Sequence, residues 1–146
     1  MPPPVTPLLT TDIVIELIDR PERPIVLIER MHEPLGWAIP GGFVEVGETV
    51  EEAAVREAIE ETSLHVTLKA LLGVYSDPRR DPRGHTASVV YVAEARGEPK
   101  ARTDARAVAL FTLEALPRAL AFDHARILRD YLVFRRIAKR PAPAVV

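Results

Sequence analysis

The sequence predicts an α/β domain in which short strands are interleaved with helices. Three observations carry this. Residues 50–62 form an acidic helical stretch that Thr49 opens, with Glu52 three residues later, as a capping box does. Several segments rich in β-branched residues, such as Ile13-Val14-Ile15, have the partial alternation of strands. Near the C-terminus Ile127, Leu128, Tyr131 and Leu132 recur at helical spacing.

In chain order, residues 1–8 form an irregular, proline-rich arm, and residues 11–18 a first strand. Asp19-Arg20-Pro21-Glu22-Arg23-Pro24 makes the turn to a second strand over 25–29, paired with the first as a hairpin. A short third strand, 37–39, is stopped by Pro40-Gly41-Gly42 before the helix 50–62. Strands follow over 64–75 and 86–95. The loop between them, 76–85, holds prolines and a glycine that forbid regular structure and charges that need solvent or ligand. A polar turn over 97–105 leads to a last short strand, 108–112. A closing helix capped by Asp123 turns Arg126, Arg129 and Asp130 to water, and the tail 139–146 is expected to be flexible.

With 146 residues, 47% of them hydrophobic, the chain suits one domain, 1–146. A formal net charge of −2 speaks against non-specific binding to nucleic acid or an anionic membrane. The absence of cysteine excludes disulfides, thiolate metal sites and cysteine nucleophiles. No apolar run approaches the roughly 20 residues of a spanning helix, and Met1-Pro2-Pro3-Pro4 does not begin a leader, so a cytoplasmic protein is expected.

The chemistry concentrates between Gly41 and Leu64. On a helix Glu60 and Glu61 project within one turn of Glu57, while Val55 and Ile59 point away and anchor the helix in a core. Carboxylates so close repel, which raises at least one pKa unless a hard divalent cation neutralises them, and oxygen ligands suit Mg²⁺ or Mn²⁺. Gly41, Gly42 and Gly47 let backbone groups approach such ions and phosphates.

Gly42, Glu48, Arg56, Glu57, Glu60, Glu61 and Leu64 stand at the spacing of the Nudix box, and the chain resembles the Nudix hydrolases through them. Ala58 stands where larger aliphatic side chains are preferred, and Ser63 replaces the glycine that ends the helix in a left-handed conformation. The resemblance implies an α/β/α sandwich, a mixed sheet between helices. It also implies that Glu57 and Glu61 ligate metal, that Glu60 joins according to metal number, and that the Gly41 carbonyl completes the sphere. Arg56 and Glu48 look like the pair that ties loop to helix. The implied reaction is hydrolysis of a diphosphate by water, with Glu60 or Asp104 as general base; Ala107 stands where relatives carry an acid ahead of an aromatic.

Asp77-Pro78-Arg79-Arg80-Asp81-Pro82-Arg83-Gly84-His85 is similar to a segment of small ADP-ribose pyrophosphatases. Arg79, Arg80 and Arg83 can grip phosphate oxygens, with Asp81 or Asp77 accepting from ribose hydroxyls and His85 binding phosphate; alternatively these side chains pair with one another. The resemblance implies cleavage of ADP-ribose to AMP and ribose 5-phosphate, with a small-molecule nucleotide diphosphate as substrate and neither nucleic acid polymer nor membrane as partner. The rival readings are a house-cleaning nucleoside triphosphatase and a non-catalytic ADP-ribose sensor. Many relatives form homodimers, to which the arm could contribute. Trp37 is expected to pack rather than stack on a base, and Phe122-Asp123-His124 to cap and pack; Glu16, Arg30 and Glu33 are weaker recognition candidates.

Overall fold

The structure is a computed structural model that describes residues 1–102 and 105–146. Its strands are β1 (Leu8–Leu17), β2 (Ile25–Arg30), β3 (Trp37–Ala38), β4 (Gly41–Phe43), β5 (Thr67–Tyr75), β6 (Thr86–Ala95) and β7 (Ala105–Phe111), with helices α1 (Val50–Thr62) and α2 (His124–Ile137) and a short 3-10 turn at Leu113–Ala115. The sheet runs β3-β2-β1-β6-β5, with β4 added to β1 and β7 to β2. β1 and β6 pair in parallel along their whole length, Leu8 with Thr86 to Leu17 with Ala95, and the other pairs are antiparallel.

The sandwich follows from the alternation along β1. Ile13, Ile15 and Leu17 pack with Ala54 and Ala58 of α1, whereas Val14 packs with Ile127, Leu128 and Tyr131 of α2. One helix therefore covers each face of a mixed sheet. Each fully buried Ile or Leu contributes roughly 1.5–3 kcal/mol, so the two faces hold the helices chiefly by apolar burial. Polar residues of β1 on the α2 face add two anchors: Glu16 accepts from the Tyr131 hydroxyl at 2.7 Å, and Asp12 lies 3.5 Å from His124.

Several elements differ from expectation. β1 begins earlier, β5 begins three residues later than the strand predicted over 64–75, and β7 is longer than 108–112. β4 was not foreseen: Gly41 and Gly42, read as a strand stop, pair with Asp12 and Thr11. α1 matches 50–62, and both hydrogen bonds of its capping box are made. Its buried face is Ala53, Ala54, Ala58, Glu61 and Thr62, not Val55 and Ile59, because small side chains let the helix lie close on the sheet. Ser63 takes the left-handed conformation (φ 65°), and its hydroxyl donates to the Lys100 carbonyl at 3.1 Å. Asp130 is not left to water, since the Tyr75 hydroxyl donates to it at 2.6 Å. The C-terminal tail lies on β5: Arg140 Nε donates to the Leu71 carbonyl at 2.8 Å, and its guanidinium rests over the Phe134 ring. Trp37 packs edge-on against Phe111 with ring centroids 5.1 Å apart. Among the described residues no helix is long and apolar enough to cross a membrane.

Candidate active site

A cleft of about 570 Å³ opens where β1, β4 and α1 meet the loop before β6. It brings together Gly41, Gly42, Arg56, Glu57, Glu60, Glu61, Arg80, Asp81 and Arg83 of the residues the sequence singles out. Arg79 and His85 do not line it: Arg79 pairs with Asp77 in solvent, and His85 Nε2 lies 2.9 Å from the Ser76 carbonyl.

α1 delivers its carboxylates unequally. Glu61 is buried, and its Oε1 accepts the Gly41 amide at 2.7 Å. Glu57 turns toward Gly42, where a Cβ would meet its carboxyl group and push it aside, whereas a Cβ at Gly41 would run into the backbone of Thr11 and Asp12. Glu60 is about half exposed and takes Arg56 Nη1 at 3.2 Å. Arg56 is the hub of this face. Its Nε and Nη2 hold Glu48 at 3.0 and 2.6 Å, Nη1 reaches Glu57 at 2.9 Å, and Nη2 also donates to the Phe43 carbonyl at 3.0 Å. The helix is thus tied to the glycine loop by a two-pronged, charge-assisted pair.

Burial pushes the Glu61 carboxyl up to about 8, and the neighbouring Glu57 and Asp12 charges add to this against the pull of the Gly41 amide. Burial also raises Glu57, opposed by Arg56. Like-charge repulsion is therefore present, but burial comes first. Among the described residues no three His, Asp or Glu side chains already converge as a metal cage. The donor set still fits a hard divalent cation. It is all oxygen, Glu61 is buried and Glu57 partly so with their charged forms disfavoured, and the side-chain-free Gly42 leaves backbone approachable beside them. Glu57 and Glu61 could hold the ion, with Glu60 and the Gly41 carbonyl beside them.

The opposite wall is cationic and aromatic. Arg83 lies over the rings of Phe43 and Phe122, at 5.4 and 5.2 Å, and Arg30 lies over Phe122 at 4.8 Å. Arg30 Nε donates to the Pro34 carbonyl at 2.7 Å, and among the described residues this arginine has no carboxylate within ion-pair reach. Burial, and then the nearby Arg83 charge, hold Arg30 below the ordinary guanidinium range. Two arginines on this wall of the cleft, one of them without a carboxylate partner among the described residues, make a place for an anion.

Arg80 is different. It is buried, and its guanidinium is held by Asp123 at 2.8 and 3.0 Å and by the Thr86 hydroxyl at 2.7 Å, so it braces the loop rather than reaching for a ligand. Asp123 stands at the N-cap of α2 but makes no side-chain cap bond, because its carboxylate serves Arg80. Asp12 and His124 also line the cleft. Neither stood out as a site residue in the sequence: Asp12 sits in an apolar strand, and His124 has the pattern of a cap. Asp104 lies outside the described residues.

The NUDIX domain family profile matches residues 8–131. An ADP-ribose pyrophosphatase from Methanocaldococcus jannaschii is 50% identical over 123 residues, which are 82% of this chain and 72% of that protein. Among solved structures, a MutT/nudix family protein from Enterococcus faecalis superposes with a TM-score of 0.80 at 28% identity, over 93% of this chain and 65% of that one. This chain therefore spans just under two thirds of that molecule. The NUDIX domain of Shewanella oneidensis NrtR, complexed with ADP ribose, gives a TM-score of 0.74 at 25% identity over 91% of this chain and 90% of that one.

Proposed function

The chain belongs to the Nudix family and is a Nudix-type pyrophosphohydrolase, and we propose that its substrate is ADP-ribose, cleaved by water to AMP and ribose 5-phosphate. The observation that carries this reading is the cleft itself, which sets the Glu57–Glu61 pair beside the Gly41-Gly42 backbone and faces it with Arg83 and Arg30. A diphosphate has the charge and length to lie between such walls. The name of the Methanocaldococcus jannaschii relative supports the choice of ADP-ribose.

Glu57, Glu61 and the Gly41 carbonyl, with Glu60 beside them, would hold Mg²⁺ or Mn²⁺, which would supply charge screening at the phosphate oxygens and a more acidic water. The chain's own groups do the rest. Arg83, oriented by Asp81, and Arg30 bind the anionic oxygens, while Gly42 lets the phosphate come close to the backbone. Arg56 aims Glu57 and Glu60. Glu60, the most exposed of the three acids, receives the proton of the attacking water, whose oxygen joins phosphorus as the bridging P–O bond breaks. The setting is cytoplasmic. A homodimer built with the N-terminal arm and the start of β1, where Val5, Leu8 and Leu9 are exposed, completes the reading, and sedimentation at micromolar concentration checks it.

Turnover of ADP-ribose and 8-oxo-dGTP at low concentration tests the substrate. ADP-ribose is expected to have much the larger kcat/KM, with AMP and ribose 5-phosphate as products. Preference for 8-oxo-dGTP would move the chain to the house-cleaning class, and tight ADP-ribose binding without turnover would make it a sensor.

A further inference from the structure

The turn that carries the glycines into the cleft hangs from both helices. Between Ile39 and Gly41 the backbone has only two N–H donors, because Pro40 has none. The Gly41 amide donates to Glu61 of α1 at 2.7 Å, and the Ile39 amide donates to Nδ1 of His124, the first residue of α2, at 3.0 Å. The Pro40 carbonyl accepts from the Ile13 amide at 2.8 Å, which ties the turn to β1 as well. Each helix thus holds one amide of this turn with one buried side chain.

The His124 grip has a chemical condition. Nδ1 can accept the Ile39 proton only if the ring's own proton sits on Nε2. Nε2 points to Asp12, whose Oδ1 is 3.5 Å away. Asp12 is itself fixed: its Oδ2 accepts from the Ser88 hydroxyl and lies 3.7 Å from Arg80 Nη2. Burial works to raise the Asp12 carboxyl, but His124, Ser88 and Arg80 together hold it below the usual carboxylate range, so it stays an anion facing the ring. The segment leading into α2 is pinned to β3 through the Trp37 amide on the Ala119 carbonyl at 2.9 Å and the Ala121 amide on the Trp37 carbonyl at 2.8 Å. The ring therefore arrives at Ile39 from a fixed frame.

We infer that His124, oriented by Asp12, is a positioning residue for the hydrolysis: it holds the Ile39-Pro40-Gly41 turn in the place where the Gly41 carbonyl and the Gly42 backbone meet Glu57 and Glu61. This rests on the reading of those groups as the cation site. When Glu61 turns to a cation its grip on the Gly41 amide weakens, and the turn is then held by His124 and by its bonds to β1.

His124→Asn and His124→Gln separate this role from simple packing, because the Asn amide oxygen falls near the position of Nδ1, whereas the Gln amide extends toward that of Nε2. Three readouts on the full chain are expected to divide the pair. Hydrogen exchange of the Ile39 amide accelerates roughly tenfold or more in His124→Gln and stays near wild type in His124→Asn. Mn²⁺ affinity, followed by the ion's paramagnetism, falls about tenfold in the Gln variant and recovers in the Asn variant. With ADP-ribose, the Gln variant loses kcat while KM holds. In the wild type, ¹⁵N spectra should show Nδ1 of His124 as the unprotonated nitrogen, a measurement that needs no variant to fold. Equal effects of Asn and Gln, a protonated Nδ1, or unchanged Mn²⁺ affinity in a Gln variant whose Ile39 amide has opened would overturn the inference. Failure of the wild type to cleave ADP-ribose would overturn the substrate reading alone, since exchange and Mn²⁺ binding are measured without substrate.

Discussion

Asp77-Pro78-Arg79 and Asp81-Pro82-Arg83 are one local device made twice. In each, the aspartate accepts the backbone amide of the arginine two residues on and both arms of its guanidinium, at 2.8–3.2 Å in the first and 2.8–3.0 Å in the second. Their surroundings differ. The side chains of Asp77 and Arg79 are 39% and 89% exposed, those of Asp81 and Arg83 only 2% and 43%. The outer pair is a surface turn, and the inner one presents an arginine between two phenylalanine rings inside the cleft. Identical local chemistry thus yields a solvated ion pair in one place and a cleft-lining cation in the other, and the fold decides which.

Arg80, between the two turns, is where the comparison breaks most sharply. Arg80→Met leaves Asp123 and Asp12 without their buried partner, and a loss of about 3–5 kcal/mol in unfolding free energy is expected by denaturant titration, with both turns released together. Next comes Arg83→Ala, which keeps the outer turn and removes the inner cation; kcat/KM for ADP-ribose should fall on the order of a hundredfold, and Arg83→Lys should recover only part of it.

Glu61, across the cleft, gives a smaller, pH-dependent effect. Its pKa in the folded, metal-free chain is about 8 against an ordinary 4.5, so the folded state binds the proton more tightly than the unfolded state. Stability of the metal-free protein therefore falls as pH rises from 4.5 through 8, and a cation that replaces the proton should raise Tm more at pH 8 than at pH 6, by roughly 5 °C. A Tm gain from Mg²⁺ that is equal at the two pH values would contradict this. The smallest effect belongs to the outer turn: Arg79→Ala should leave kcat/KM within about twofold of wild type.

What was legible in the sequence is what local chemistry decides. Thr49 and Glu52 announce the start of α1, and Glu48 on the glycine loop is held by Arg56 as the resemblance implies. Ser63 takes the left-handed turn expected of a glycine there. The rest depends on partners distant in the chain. β4 exists only because Gly41 and Gly42 find β1, and no propensity marks two glycines as a strand. Asp12 and His124 meet through the packing of α2 on β1, and a single acid in an apolar strand carries no local sign of that. Val55 and Ile59 gave way to alanines because closeness to the sheet, not side-chain size, set the buried face of α1. The three arginines of the loop looked equivalent, yet one is buried, one faces the cleft and one faces water.

The most direct test of the central claim is Glu57→Gln, which removes one negative charge where the Gly42 backbone meets α1 and changes little else in shape. With Mg²⁺ present, ADP-ribose turnover should fall by on the order of a thousandfold or more while Tm in metal-free buffer and ADP-ribose binding stay near wild type. A folded Glu57→Gln protein that hydrolyses ADP-ribose as fast as wild type would contradict the assignment of this cleft as the site of hydrolysis.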